Sequence, residues 1–222
     1  MSDTNTNTNT DTNTNTNTDT DTNTNKDKSI LYLSIDVETD GPTPMLNNLL
    51  SIGIAGITID QEILYTFEAN VLPLPNHNPD KNTMENFWLK SKQRKAWNYL
   101  LTNQRHYVNV FEQLSCELKE LSNKHDLIFI ANPACFDWMF LKCYYEQAKI
   151  NSDNQNFYDI GFKCVCISTL TNYFKKLHKF NPGLCSGINK NIRDNTDGIL
   201  HTALYDATVQ GLFYCNLLFL IS

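Results

Sequence analysis

The amino-acid sequence predicts an α/β domain: a mixed sheet of about five strands, the first three antiparallel, with helices packed on it. Two observations carry this expectation. Three strand-like apolar runs meander one after another, and beyond them stretches of helical period alternate with strand-like ones. The first run, Ile30-Leu31-Tyr32-Leu33-Ser34-Ile35, is short, β-rich and apolar, as a buried strand would be, and it ends at a carboxylate. Leu50 to Ile57 places apolar side chains at every second position, and Ile63 to Val71 follows across a short polar connection. Pro73, Pro75 and Pro79 then open a loop. Phe87 to Leu101 is expected to be helical, packed down by Trp88 and Trp97. His106 to Leu121 is a clearer helix, because Tyr107, Phe111, Leu114, Leu118 and Leu121 share one face. Leu127 to Ala131 predicts a fourth strand and Phe136 to Lys149 the helix after it. A short extended piece near Tyr158-Asp159-Ile160 and a helix over Cys164 to Lys176 come next. A long glycine-containing loop from Asn181 to Gly198 and a last helix over Thr202 to Leu220 complete the order.

Ahead of this domain, the first 25 residues hold 11 Thr, 8 Asn and 4 Asp. Such a composition buries nothing that could offset its ordering entropy, so residues 1–28 are expected to form a disordered tail and residues 29–222 one domain with a substantial core. The tail carries five Asp against two Lys, which is half of the net charge of −6. A domain this weakly acidic is a poor match for wrapping long duplex DNA. The seven cysteines have no framework spacing, and no charged-then-apolar segment opens the sequence. Both features predict reduced thiols in an intracellular, cytoplasm-like compartment. The apolar run inside Gly211 to Ile221 falls short of the roughly 20 residues that cross a bilayer, so no membrane association is expected.

Three elements meet acids at their ends. Asp36 and Glu38 close the first strand, and the two-residue period of a strand sends both side chains to one face and Val37 to the other. Asp137 opens the helix after the fourth strand. Asp206 lies at the start of the last helix, five residues after His201. Singly, each is ordinary: an acid in a first helical turn is favoured by the helix dipole alone, and an Asp-x-Glu arises by chance about once in a chain of this size. Together they are not, because four clustered carboxylates repel one another unless a cation sits among them. An all-oxygen set suits Mg²⁺ or Mn²⁺ rather than Zn²⁺.

On these motifs the chain resembles the DEDDh group of 3′-to-5′ exonucleases, relatives of bacterial polymerase proofreading subunits, ribonuclease T and oligoribonuclease. The first motif is Ile35-Asp36-Val37-Glu38-Thr39-Asp40-Gly41, the second runs from Asn132 through Leu141 with a Phe-Asp-x-x-Phe-Leu core, and the third is His201 through Asp206. The segments Asp36 to Pro42 and His201 to Gly211 are similar to those of a compact bacterial exoribonuclease-like branch, and the resemblance covers about Leu31 to Phe219. Pro133, between Asn132 and the Phe136-Asp137 pair, departs from the wider group.

The resemblance implies a ribonuclease H-like fold in which Asp36, Glu38, Asp137 and Asp206 hold two Mg²⁺ or Mn²⁺ ions and His201 acts as general base. The implied partners are the 3′ ends of single-stranded nucleic acid, cleaved to nucleoside 5′-monophosphates. RNA or short oligoribonucleotides are marginally preferred on the strength of the branch resembled, since the sequence shows no 2′-hydroxyl reader and no long basic groove. Thr39, Leu49, Leu50, Asn132 and Phe136 fall where such enzymes touch substrate. For Leu49 and Leu50 a plain core position fits equally well. The loop ahead of His201 leads us to expect that residue to be mobile without substrate, and a homodimer is left open.

Two other readings stand beside this one: a DNA 3′–5′ exonuclease of repair or proofreading, and a nucleic-acid-binding module without turnover on the same fold. The intact acids and His201 argue against the second, and the tail as an interaction arm is a third. Lys90, Lys92, Arg94 and Lys95 read first as a solvated helix face and second as a strand-backbone binder. His77, His106, His125 and His178 lack partners at ligand spacing, and Cys164-Val165-Cys166 is too tight for a zinc or redox pair.

Overall fold

The computed structural model describes residues 28–177 and 182–221. The tail through Asp27, His178 and Asn181 lie outside the described residues. In chain order the elements are β1 (Ser29–Thr39), β2 (Leu49–Ile57), β3 (Ile63–Asn70), a single turn α1 (Lys81–Thr83), α2 (Arg94–Leu100), α3 (Tyr107–Ser122), β4 (His125–Ala131), α4 (Ala134–Asn151), β5 (Val165–Cys166), α5 (Ile167–Lys176), α6 (Pro182–Asp194) and α7 (Ala203–Ile221). The strands form one sheet in the order β3-β2-β1-β4-β5. β1 pairs antiparallel with β2, β2 antiparallel with β3, and β4 runs parallel to both β1 and β5.

β1 can sit near the middle of the sheet because both of its faces are covered. Leu31, Leu33, Ile35 and Val37 point to one side, where Phe111 and Leu114 of α3 and Phe140 and Tyr144 of α4 close the larger core. Tyr32 lies on the other side, where Ala55, Ile57 and Ile130 meet Ala207, Phe213 and Leu217 of α7. Asp36 and Glu38 share the parity of Tyr32, so the strand's alternation sends them toward α7. No described helix is long and apolar enough to cross a membrane.

Three expectations are corrected. The helix foreseen over Phe87 to Leu101 is broken: a π turn over Met84–Trp88 ends at Leu89, Lys90 is extended, and a 3₁₀ turn over Ser91–Gln93 leads into α2. The indole of buried Trp88, whose Nε1 donates to Thr39 O at 2.8 Å, ties the first turn to the end of β1. The fifth strand is Val165–Cys166, inside the stretch where a helix is expected from Cys164, while the extended piece at Tyr158 to Ile160 joins no strand. Side chains bind the backbone of that earlier segment: Tyr158 N donates to Ser115 Oγ at 2.7 Å, and Tyr145 Oη donates to Tyr158 O at 2.7 Å. Its backbone therefore has no need of a strand partner. Most of the loop expected before His201 is the helix α6, anchored to the second core by buried Cys185 and Ile192 and by Ile188 at helical spacing. Gly183 and Gly187 had signalled a loop, yet a Cβ at Gly187 would meet only open space.

One glycine is required by packing. Gly53 pairs with Asp36 across β1 and β2, and a Cβ there would lie 2.2 Å from Ala203 C and from Leu204 N. The first turn of α7 thus rests on bare backbone next to Asp36. Gly53→Ala is expected to destabilise the protein by about 1–3 kcal/mol through overpacking. Gly187→Ala should stabilise it by about 0.5–1 kcal/mol through helix propensity. Urea denaturation of the two variants checks both signs, and a neutral Gly53→Ala would show that α7 can shift without cost.

Candidate active site

The site lies where β1 ends and where two helices begin. Glu38 and Asp137 are almost fully buried, while Asp36, His201 and Asp206 are half-buried. Asp137 sits in the first turn of α4, and its Oδ1 accepts the Val37 N–H at 3.2 Å, which places this carboxylate against the strand between Asp36 and Glu38. Asp206 sits in the first turn of α7, and its Oδ2 accepts the His201 N–H at 3.0 Å. The His201 ring follows, with Nδ1 3.7 Å from the same Oδ2. His201 has φ of 65°, a left-handed conformation uncommon outside glycine. That backbone bond to Asp206 and an edge-to-face contact with Phe87, ring centroids 5.0 Å apart, hold it there. One ligand atom each from Glu38, His201 and Asp206 can be chosen so that all lie within 4.8 Å of one another.

The electrostatics follow from this crowding. Burial, reinforced by Asp137, Glu38 and Asp206, pushes the Asp36 carboxyl well above the ordinary range, and burial with Asp206 and Asp137 does the same to Glu38. Burial lifts Asp137 to about 7 against the hydrogen bond from Val37 N–H, which pulls the other way. Asp206 is raised by burial and partly relieved by His201 and Arg193. His201 is lowered, first by burial and then by the cations Lys92 and Arg193, with Asp206 opposing. Asp137 Oδ2 is buried and has no hydrogen-bond partner among the described residues.

A cleft of about 420 Å³ opens beside the acids, and its walls include Asp36, Asn132, Arg193, His201 and Asp206. Asn132 is exposed there. Thr39, Leu49, Leu50 and Phe136 do not line it. Thr39 is buried with its hydroxyl donating to Gly41 O at 2.9 Å. Leu49 is 0% exposed within the larger core, and of the two readings left open for it, its burial is that of a core side chain. Leu50 packs with Trp88, Leu100 and Ile199, and Phe136 stacks near Phe140 at 5.2 Å. Sequence reasoning missed Phe87, Arg193 and Gln210. Gln210 Nε2 donates to Ile35 O, tying α7 to β1 just before Asp36. Its signal was available, since it follows Asp206 by one helical turn. Lys92, first read as a solvated helix face, lies close enough to act on His201.

A five-stranded mixed sheet that gathers four carboxylates at the end of its first strand has the ribonuclease H-like architecture of DEDDh exonucleases. A model of the 3′-5′ exoribonuclease Rv2179c-like domain matches residues 31–216. The chain belongs to that family and is a 3′–5′ exonuclease.

Among solved structures, the nuclease domain of 3′hExo, a DEDDh family member bound to rAMP, is similar at a TM-score of 0.57 and 16% identity, over 86% of this chain and 92% of that one. S. pombe Pop2p in its Mg²⁺- and Mn²⁺-bound form aligns at a TM-score of 0.55 and 13% identity, over 84% and 82% of the two chains. E. coli Exonuclease I in complex with a 5cy-dA13 oligonucleotide aligns at a TM-score of 0.52 and 10% identity, over 86% of this chain and 43% of that one. At these identities the likeness is one of fold. A search of curated proteins finds no match.

The crowded acids make stability depend on pH. Each of the four is held above its unfolded value near 4, so the folded chain keeps protons that the unfolded chain has released. That contribution is full below about pH 4 and is lost as pH rises through the folded values, about 7 for Asp137. His201, shifted down, works in the opposite sense through its own range. In chelator, the thermal midpoint at pH 8 should lie roughly 5–10 °C below that at pH 5. Asp137→Asn should flatten part of this dependence. A midpoint that rises between pH 5 and pH 8 would contradict the assignment.

Proposed function

We propose that Asp36, Glu38, Asp137 and Asp206 hold two divalent ions, Mg²⁺ or Mn²⁺, and that residues 29–222 form the unit that removes nucleoside 5′-monophosphates one at a time from the 3′ end of a single strand. RNA and short oligoribonucleotides are marginally preferred. The observation that carries this reading is the convergence of four acids, all raised, at one strand end. The residues fit such ions: the donors are oxygens, Asp137 Oδ2 lacks a partner among the described residues, and a cation would offset the burial that lifts all four groups and the repulsion that adds to it at Asp36 and Glu38. The family's description as exoribonucleases supports the RNA preference. The DNA oligonucleotide on E. coli Exonuclease I keeps a DNA exonuclease as the second reading.

Bound divalent ions supply charge neutralisation at the scissile phosphate, a lowered pKa for the attacking water and stabilisation of the departing 3′ oxygen. The chain does the rest. His201, whose pKa burial lowers, is biased toward the neutral form, which has a lone pair with which to accept the water's proton. Phe87 and the Asp206 carboxylate orient the ring. Arg193, on the cleft wall, offers a cation to the non-bridging phosphate oxygens.

Activity should vanish in EDTA and return with Mn²⁺ or Mg²⁺. Asp36→Asn should lose metal affinity, followed by calorimetry, together with turnover. His201→Ala should keep metal and oligonucleotide affinity and lose about 10²- to 10⁴-fold in rate. Wild-type rates for His201→Ala, or robust cleavage without divalent metal, would defeat this assignment.

With end-labelled oligomers, products should shorten from the 3′ end, and a 3′-phosphate should slow the reaction severely. Comparable cleavage of a circular strand would mark an endonuclease.

A further inference from the structure

A strand longer than the nucleotide being removed needs a path away from the acids. The cleft beside Asp36 and Asp206 borders a second of about 330 Å³, and the two share Asn132, Asn189 and Phe213 as common walls. This second cleft runs between α5 and α6. Its α5 wall carries Ser168, Asn172 and Lys175, and its α6 wall carries Asn189, one helical turn before Arg193 in the first cleft. Among the described residues no carboxylate lines the second cleft, and a cation stands toward each end of the two clefts together: Arg193 beside the acids and Lys175 about two turns along α5 from Ser168. Neither cation has a carboxylate within ion-pair distance among the described residues.

We propose that this α5–α6 groove binds the substrate strand on the 5′ side of the scissile bond, with Arg193 and Lys175 taking phosphates at its two ends. The proposal rests on the exonuclease reading above. An enzyme that removes one nucleotide keeps only one on the 3′ side, so a groove longer than one nucleotide serves the other side. From Ser168 to Lys175 the helical rise is about 10 Å. At about 3.4 Å of axial rise per stacked nucleotide, that length takes roughly three nucleotides. Polar walls with cations at their ends grip the backbone without reading sequence. The path was hidden in the sequence because half of its wall is α6, which carries two glycines and reads as loop.

The test uses the full chain and oligoribonucleotides of two to eight residues. Wild-type kcat/KM should climb from the dimer to about the tetramer and then level off. Lys175→Gln should lower the tetramer-to-dimer ratio about threefold and reduce the salt slope of tetramer binding by about one. Lys175→Arg should restore both. Lys119→Gln, on the exposed face of α3, is the control that changes neither. The groove is excluded if wild-type efficiency is flat with length, or if Lys175→Gln slows dimer and octamer equally. Fluorescence anisotropy of 5′-labelled oligomers separates this proposal from the one it rests on. Length- and Lys175-dependent binding without turnover would keep the groove and remove the hydrolytic reading, and length-independent binding would remove the groove.

Discussion

The burial of four carboxylates side by side at the end of β1 is the constraint around which the molecule is arranged. Each of these groups is pushed above its ordinary pKa, and an isolated cluster of this kind would disperse or take up protons. The fold prevents dispersal. β1 is paired on both sides and covered on both faces, so Asp36 and Glu38 cannot swing away without disturbing two cores. α4 and α7 bring their first turns to the same place, and the positive ends of their dipoles favour negative charge there. Gly53 and the Gln210 bond to Ile35 O set how close α7 comes.

Around this acidic centre stands a second, positive layer. Arg193 from α6 and Lys92 from the 3₁₀ turn both depress His201, and Arg193 also relieves Asp206. The same two cations are suited to phosphate. On the function proposed above, the acids within would hold divalent ions and the cations at the rim would meet a polyanionic strand. His201 stands between them on a left-handed backbone, an arrangement of the strained kind that concentrates at functional sites.

How much of this was legible from the chain varies with how local the cause was. The apolar run of Ile30 to Ile35, the alternation of Leu50 to Ile57, the helical face of Tyr107 to Leu121 and the motif acids were all readable, because neighbours within a few residues produce those patterns. The composition of Tyr158 to Ile160 suits an extended piece but does not say what its backbone pairs with. Tyr145 and Ser115 bind its backbone from elsewhere in the chain, and no local pattern records that. The break at Lys90 follows from the Trp88 anchor to Thr39 O, again a distant partner. α6 was missed for the opposite reason. Its glycines signal a loop locally, and the burial of Cys185 and Ile192 against the second core outweighs them.

By itself, the sequence determined which groups are the candidates for the chemistry: Asp36, Glu38, Asp137, Asp206 and His201 stand in recognisable order at the ends of recognisable elements. It also determined that Asp36 and Glu38 share a face, since strand period needs no tertiary information. Tertiary structure alone decided that Phe87, Lys92 and Arg193 join them, that Leu49 is core, and that a second cleft between α5 and α6 borders the first. The physical reason is one of range. Periodicity and capping act over one or two turns of chain, whereas convergence at a site is set by which faces of the sheet the helices cover, and by the one place on β2 where the absence of a Cβ lets α7 settle against it.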